Sequence, residues 1–361
     1  MGKLRRYVFP PLQAVFLILV IARCSADTDG PVALADGQLQ DTDTDALFIS
    51  VHAVSGEVAW AAGVGGRVAR TIDGGATWTV VIVEGADSVQ FRDVHALDAS
   101  SAYVLSIGNG SASRIYRTDD GGTSWRLQFR NEDPRAFFDC MDFWDGDSGL
   151  AFSDAVDSTF VVIVTEDGGD TWTQIDPSVL PAALPGEGSF AASGTCVETF
   201  GDSTAWIGTA AGSKARVLKT TDRGASWSVI ETPVTGGEAA GIASVAFQDA
   251  MNGVVAGGDI GAPSEHKDNV AVTADGGVTW TLASQTLMPG AVYGSAIVPG
   301  ESGSTIVVVG PAGVNYSNDS GATWNSADTL NYWGVDFAGP EAGWTVGTAG
   351  KIAFRYLRPS S

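Results

Sequence analysis

Positive charge is scarce in this sequence. Lysine and arginine number 20 against 42 aspartates and glutamates, and the formal charge is −22. A basic patch for nucleic acid or for an anionic membrane surface is therefore excluded as the basis of its function. Cysteine is nearly absent, with 3, and histidine equally so, with His52, His95 and His266. No Cys-x-x-Cys or His-x-x-x-His pair is present to hold zinc. No Gly-x-Ser-x-Gly elbow and no phosphate-cradling loop before a helix appears. Flavin, nicotinamide and quinone fingerprints are missing too. No metal and no cofactor is expected.

The N-terminus has the form of a signal peptide. Lys3, Arg5 and Arg6 precede the apolar run Ala14 to Ala22, and Cys24-Ser25-Ala26 offers a cleavage site before Asp27. That run falls short of the ~20 residues of a membrane span. The expectation is a signal peptide over 1–26, no membrane span, and an exported chain, periplasmic or secreted. Removing 1–26 deletes four basic residues and no acid, which leaves 16 basic against 42 acidic groups, a charge of −26. The alternative is lipidation at Cys24, which the bulky Arg23 before it disfavours. Cys140 and Cys196 then remain. Two thiols in an oxidising compartment point to one disulfide, the alternative being two buried inert thiols.

What is abundant is glycine, at 46 residues, together with a repeat. The frame Ser/Thr-x-Asp-x-Gly-x-Ser/Thr-Trp occurs six times, and holds six of the 11 tryptophans. Its Asp–Trp pairs are Asp73–Trp78, Asp120–Trp125, Asp167–Trp172, Asp222–Trp227, Asp275–Trp280 and Asp319–Trp324. The spacings between the aspartates are 47, 47, 55, 53 and 44. Within each unit lie four short apolar-alternating runs, for example FISVHAV, VAWAAGV, RVART and WTVVIV. These read as strands, with the Asp-Gly-Gly centre turning the third into the fourth. Four strands per ~45–50 residues is a β-propeller blade.

A seventh unit ends after three strands, so the N-terminal tail, around Pro31 to Leu39, is expected to supply the fourth. The expectation is all-β: a seven-bladed β-propeller of four-stranded antiparallel blades, closed by that N-terminal strand. It forms a single domain over 27–361, with repeats from about 47. Its expected state is a monomer.

The repeated frame resembles the Asp-box, or BNR repeat, of sialidases and related propellers. The whole unit, with Gly343-Trp344-Thr345-Val346-Gly347, more closely resembles the Ycf48/Hcf136-like propellers. That likeness covers about 47–355 and implies a photosystem II assembly or stability factor, or an exported bacterial relative. The photosynthetic members are expected to use basic residues on one face, from which this acidic chain departs.

The Asp motif reads as a hairpin lock. Its Asp and Ser/Thr side chains should bond turn backbone, and its Trp should pack between blades. One carboxylate per motif is too few for a calcium site. If these turns mark one face, the insertions lie on the other. They are Arg130 to Arg135, Asp176 to Ser189, and Asp259 to Asp268 in unit five, and Arg135, Asp259, Glu265 and His266 are candidate binding residues among them. Aligning Leu150 with Trp206 sets Cys140 level with Cys196 on adjacent inner strands. The same region gathers Asp139, Asp142, Asp154, Asp157 and Glu187, as an acid/base pair, a metal site or a solvated channel rim, with Ser193 and Thr195 as candidate binding residues. His52 and His95 read as packed strand positions.

Two functions follow. The first is a non-catalytic propeller that binds a protein partner through the loop-rich face. The alternative is a glycan-active or other small-molecule enzyme, sialidase-like, with a carboxylate site at blades three to four. Against it, Tyr293 and Glu187 exist without an arginine cluster or an N-terminal Phe-Arg-Ile-Pro-type motif.

Overall fold

The structure is a computed structural model that describes residues 32–300 and 305–360. The signal-peptide and Cys24 expectations lie outside these residues. Seven four-stranded antiparallel sheets succeed one another along the chain, as the repeat predicts. Blade one is Phe48–Ala53, Ala59–Gly63, Arg67–Thr71 and Thr79–Ile82, from the innermost strand outward. The second strands, such as Ala59–Gly63 and Ile306–Gly310, are buried throughout, and so read as unbroken apolar runs. Outer strands such as Asn325–Asp328 are half-buried to exposed and carry polar residues.

Apolar residues of neighbouring blades share one core. Trp60 and Val68 of blade one pack with Phe91, Val94 and Val104 of blade two. Burying residues of this size stabilises each by about 1.5–3 kcal/mol.

The ring is closed by the N-terminal tail, through two pairings. Gln38–Gln40 is the outer strand of blade seven, antiparallel to Ile352–Arg355. Val32–Leu34 pairs separately with Leu357–Pro359. The sequence places one strand around 31–39, whereas the chain uses two short ones with Gly37 at the bend. A side chain at 37 would meet the buried Arg355 guanidinium, with an added Cβ 2.8 Å from it.

Each Asp motif folds in one way. Asp73 Oδ1 accepts from the Thr71 hydroxyl at 2.8 Å and the Thr77 N–H at 2.9 Å, and Oδ2 accepts from the Thr77 hydroxyl at 2.7 Å. The Thr71 oxygen accepts from the Gly75 N–H at 2.8 Å. Asp120, Asp167, Asp222, Asp275 and Asp319 repeat the pattern. The turn needs two left-handed residues, Gly74 at φ +70° and Gly75 at +83°. In motifs four and six Arg223 and Ser320 stand at the first of these, both at +56°, a conformation disfavoured for a residue with a side chain. The motif tryptophans pack between blades. Trp125 meets Trp60 of the preceding blade edge to face, at 6.2 Å.

The motifs also define the faces. The turn joining the first two strands lies against the motif of its own blade. The Gly74 N–H donates to Glu57 O at 3.0 Å, and Gly121 to Ser100 O at 2.8 Å. Inner strands therefore run from the loop-rich face to the Asp-motif face. Among the described residues no helix is long and apolar enough to cross a membrane.

Candidate functional site

Blade four is where the propeller departs from its own repeat. Before its inner strand the chain runs inward across the axis. Ser189 N–H donates to Asp154 Oδ1 of blade three at 2.9 Å. Arg92 of blade two reaches Ala191 O at 2.8 Å. A Cβ built on Gly194 would lie 2.9 Å from Arg92 O, and one on Gly294, in blade six, 3.2 Å from Ser193 Cβ. Thr195 O accepts from Val245 of blade five at 2.7 Å. Residues 189–195 thus plug the channel and divide it in two.

On the loop-rich side of the plug is a cavity of about 330 Å³. Ile107, Phe137, Phe190 and Ile260 form apolar walls, and Arg92, Tyr293 and Trp333 complete them. The Arg92 guanidinium lies over the Trp333 ring at 5.1 Å, and Tyr293 meets that ring edge on at 5.0 Å. Arg92 Nε and Trp333 Nε1 are buried donors that have found no acceptor. Asp139 and Asp154 also line this cavity. Burial first, and then the charge of Asp154, raises the Asp139 carboxyl well above its usual range.

On the other side the channel is a polar well of about 350 Å³ that opens toward the Asp-motif face. Equivalent residues of the inner strands surround it. His52, His95, Asp142, Glu198 and Asp336 sit across from Trp60, Tyr103, Leu150, Trp206 and Trp344 of the second strands. Blades five and six bring Ala246 and Ala296 to this level. The imidazoles of His52 and His95 meet edge to face at 4.7 Å, and His95 Nδ1 lies 2.8 Å from Asp142 Oδ1. The carboxylates also join blades. Asp142 accepts the Thr199 N–H of blade four, and Asp336 the Ala53 N–H of blade one, each at 2.7 Å. Deeper in the channel, Ser193, Thr195, Ser244 and Ser295 form a hydroxyl chain with links of 2.6, 2.7 and 2.8 Å.

The expected carboxylate cluster is therefore divided. Asp142 faces the well, Asp139 and Asp154 the opposite cavity. Glu187 faces neither: it is buried and takes both Arg216 and the Thr209 hydroxyl as partners. Asp157 is exposed in a tight turn at φ +52° and pairs with Arg135. Arg135 also binds Asp133, in a separate depression between blades two and three. Asp259 caps its own loop through the Gly261 N–H, and Glu265 and His266 are exposed beyond it. Cys140 and Cys196 are joined as a disulfide across blades three and four, with Cα atoms 5.9 Å apart.

His52 and His95 are packed strand positions, as expected, and both also face the well. The signal was present in the shared Val-His-Ala of units one and two. Arg92, Phe137, Phe190 and Trp333 were not singled out, since each opens an inner strand or precedes one in a different unit.

The well carries a pH dependence. Burial pushes Asp336 from its ordinary 3.8 up to about 6, against the pull of the Ala53 and Phe337 N–H groups. The folded protein then holds this proton more tightly than the unfolded chain. Its contribution is full below pH ~4 and is lost as pH rises through 6. Asp336→Asn cannot ionise. Its stability relative to the parent should improve by about 2–3 kcal/mol between pH 4 and pH 8. His52, lowered to about 3 mainly by burial, has the opposite slope, but it is present in both proteins. Urea unfolding at both pH values checks this, and a constant difference would exclude a buried, proton-holding Asp336.

No family model and no curated protein matches the chain. Solved structures do. Ycf48 bound to a D1 peptide is 15% identical at a TM-score of 0.60, with 89% of this chain and 94% of that chain covered. Ycf48 from Cyanidioschyzon merolae is 17% identical at 0.64, covering 89% and 99%. An ancestral GH74 enzyme is 14% identical at 0.58, covering 88% of this chain and 46% of that one. At such identities these likenesses speak for the propeller fold alone.

Proposed function

We propose that this protein is an exported, non-catalytic propeller that holds an extended segment of a protein partner on its loop-rich face, as an assembly or stability factor would. The observation that carries the reading is the cavity beside Arg92 and Trp333. It is apolar and aromatic, sized for one or two side chains, and sits at the centre of the face on which the insertions lie. Two buried N–H donors, Arg92 Nε and Trp333 Nε1, lack acceptors there. Backbone carbonyls of an extended peptide would supply them while an aromatic or aliphatic side chain fills the pocket. A similarly folded protein, Ycf48, has been solved with a D1 peptide bound, which supports protein binding in general. Export is supported by the form of the N-terminus and by the Cys140–Cys196 bridge, since disulfides persist in oxidising compartments.

The enzyme reading is weaker. Glycoside hydrolysis needs two carboxyls about 5–9.5 Å apart. Asp139 is 1% exposed and Glu187 is buried against Arg216, so neither is open to a sugar.

The test begins with the mature chain immobilised and offered proteins of its own envelope, followed by overlapping peptides of whatever is retained. A peptide from one partner should bind, and Trp333→Ala should weaken it at least tenfold. Glu84→Gln, an exposed change elsewhere, should leave it unaltered. Hydrolysis of a glycan panel without any Trp333-dependent peptide would overturn the reading.

A further inference from the structure

The well on the Asp-motif face is chemically unlike the loop-face cavity, and the proposed partner does not use it. The groups that face one another in it are His52 of blade one, Asp93 and His95 of blade two, Asp142 of blade three, Glu198 of blade four and Asp336 of blade seven. Four are carboxyls, and no lysine or arginine lines the well. Surface carboxylates tolerate such crowding because water solvates them, but these have low-dielectric walls around them. Burial is the largest cause raising Glu198, and the charges of Asp142 and Asp336 add to it. Burial likewise raises Asp93, although the Met141 N–H stabilises its charge. Asp142 has His95 beside it at 2.8 Å, whereas Asp93, Glu198 and Asp336 have no lysine or arginine in the well to balance them.

A second observation is independent of the carboxyls. Ser50, 2% exposed, lines the well, and its hydroxyl has no partner. A buried hydroxyl left unbonded costs about 1–3 kcal/mol and calls for a polar ligand atom. Above it the walls offer apolar surface, Val51, Val94 and Val197, with Phe143 and Phe337 at the level of the ring. A site of about 350 Å³ is small for a macromolecule and right for a compact molecule of a few carbons. The donors do not favour a bare metal ion: among the described residues no group of three or more His, Cys, Asp or Glu is placed to hold one.

We propose that this well is a binding site for a small organic amine, whose ammonium group is the countercharge shared by Asp142, Glu198 and Asp336 and whose carbon body lies along the valines. The plug of residues 189–195 closes the inner end, so ligand enters and leaves by the Asp-motif face. The cation needs ionised carboxylates, and Asp336 gains a proton as pH falls through about 6, so binding strengthens as pH rises through that range.

Calorimetric titration of the mature protein with ethanolamine, putrescine and glucosamine tests this, beside ethylene glycol, 1,4-butanediol and glucose as uncharged counterparts. At least one amine should bind at pH 7.5 with the uncharged counterparts silent, and its affinity should fall at least tenfold at pH 5. Glu198→Gln should weaken binding at least tenfold, and so should Asp336→Asn, which guards against a folding defect in either variant. The surface change Glu84→Gln should have no effect, which separates the well from general attraction to an acidic protein. Amines that bind no better than the diols and glucose, or equally to Glu198→Gln and Glu84→Gln, would overturn the assignment. Trp333→Ala should bind amine normally, so failure of the peptide site and failure of this one are read separately.

Discussion

A chain that begins at Thr42 should lose its cooperative unfolding transition and elute as aggregate. The deleted segment completes the ring at three points. Gln38–Gln40 is the fourth strand of blade seven. Val32–Leu34 covers Leu357–Pro359, and Leu34, 3% exposed, joins a core with Val314, Tyr332 and Val335. The Gln40 amide spans the seam between first and last blades. Its nitrogen donates to Gly74 O at 2.9 Å, and its oxygen accepts from Trp78 at 3.0 Å and Trp344 at 3.2 Å. Burial of the leucine contributes about 2–3 kcal/mol, and each hydrogen bond adds about 1. The sum is comparable to the 5–15 kcal/mol of a whole domain. Deletion also bares the ladder of Ile352–Arg355, an edge that invites pairing with another chain. Size-exclusion and thermal unfolding of the truncated and mature chains decide the matter. A soluble monomer with an unchanged midpoint would mean that three strands suffice for blade seven.

The parts of this fold that can be read in the sequence are those whose physics is local. In the Asp motif the partners quoted for the Asp and Ser/Thr side chains lie two or four residues away, so the spelling of eight residues contains the turn's own lock. The blade count follows from it, and so does the identity of the two faces. The disulfide was accessible for a related reason: Cys140 and Cys196 occupy matching places in adjacent repeats. The cavities were not, because ring closure makes them. Arg92 and Trp333 are 241 positions apart, and nothing near either announces the other. The channel ring was half accessible. Val-His-Ala twice, then Asp142, Glu198 and Asp336 at the same register, is a visible pattern once units are aligned by strand rather than by motif. Glu187 was misread as a channel acid because its partner, Arg216, enters from the third strand of the blade, 29 residues on.

That partnership sets the second large effect: Glu187→Ala should destabilise the protein by about 3–5 kcal/mol. The Glu187 side chain is 0% exposed and that of Arg216 9%. Arg216 Nε donates to Glu187 Oε1 at 2.8 Å, and Nη2 binds both Oε2 and Ala182 O. The Leu184 N–H and the Thr209 hydroxyl complete the carboxylate at 2.7 and 2.6 Å. Truncation leaves a guanidinium buried without its counterion and the Leu184 amide without its acceptor, and the Thr209 hydroxyl keeps only Arg216 O at 3.2 Å. The pair itself need not be net stabilising, since both charges were desolvated to make it. Glu187→Leu combined with Arg216→Met should therefore be milder than either single alanine variant. Because Glu187 pins the insertion that leads into Phe190 and the plug, the single variant should also be cut by protease between Pro177 and Ser189, while the double variant resists. Thermal unfolding and limited proteolysis of the three variants test the argument together. If the double substitution is as damaging as Glu187→Ala, the loss comes from shape and the remaining hydrogen bonds rather than from an orphaned charge.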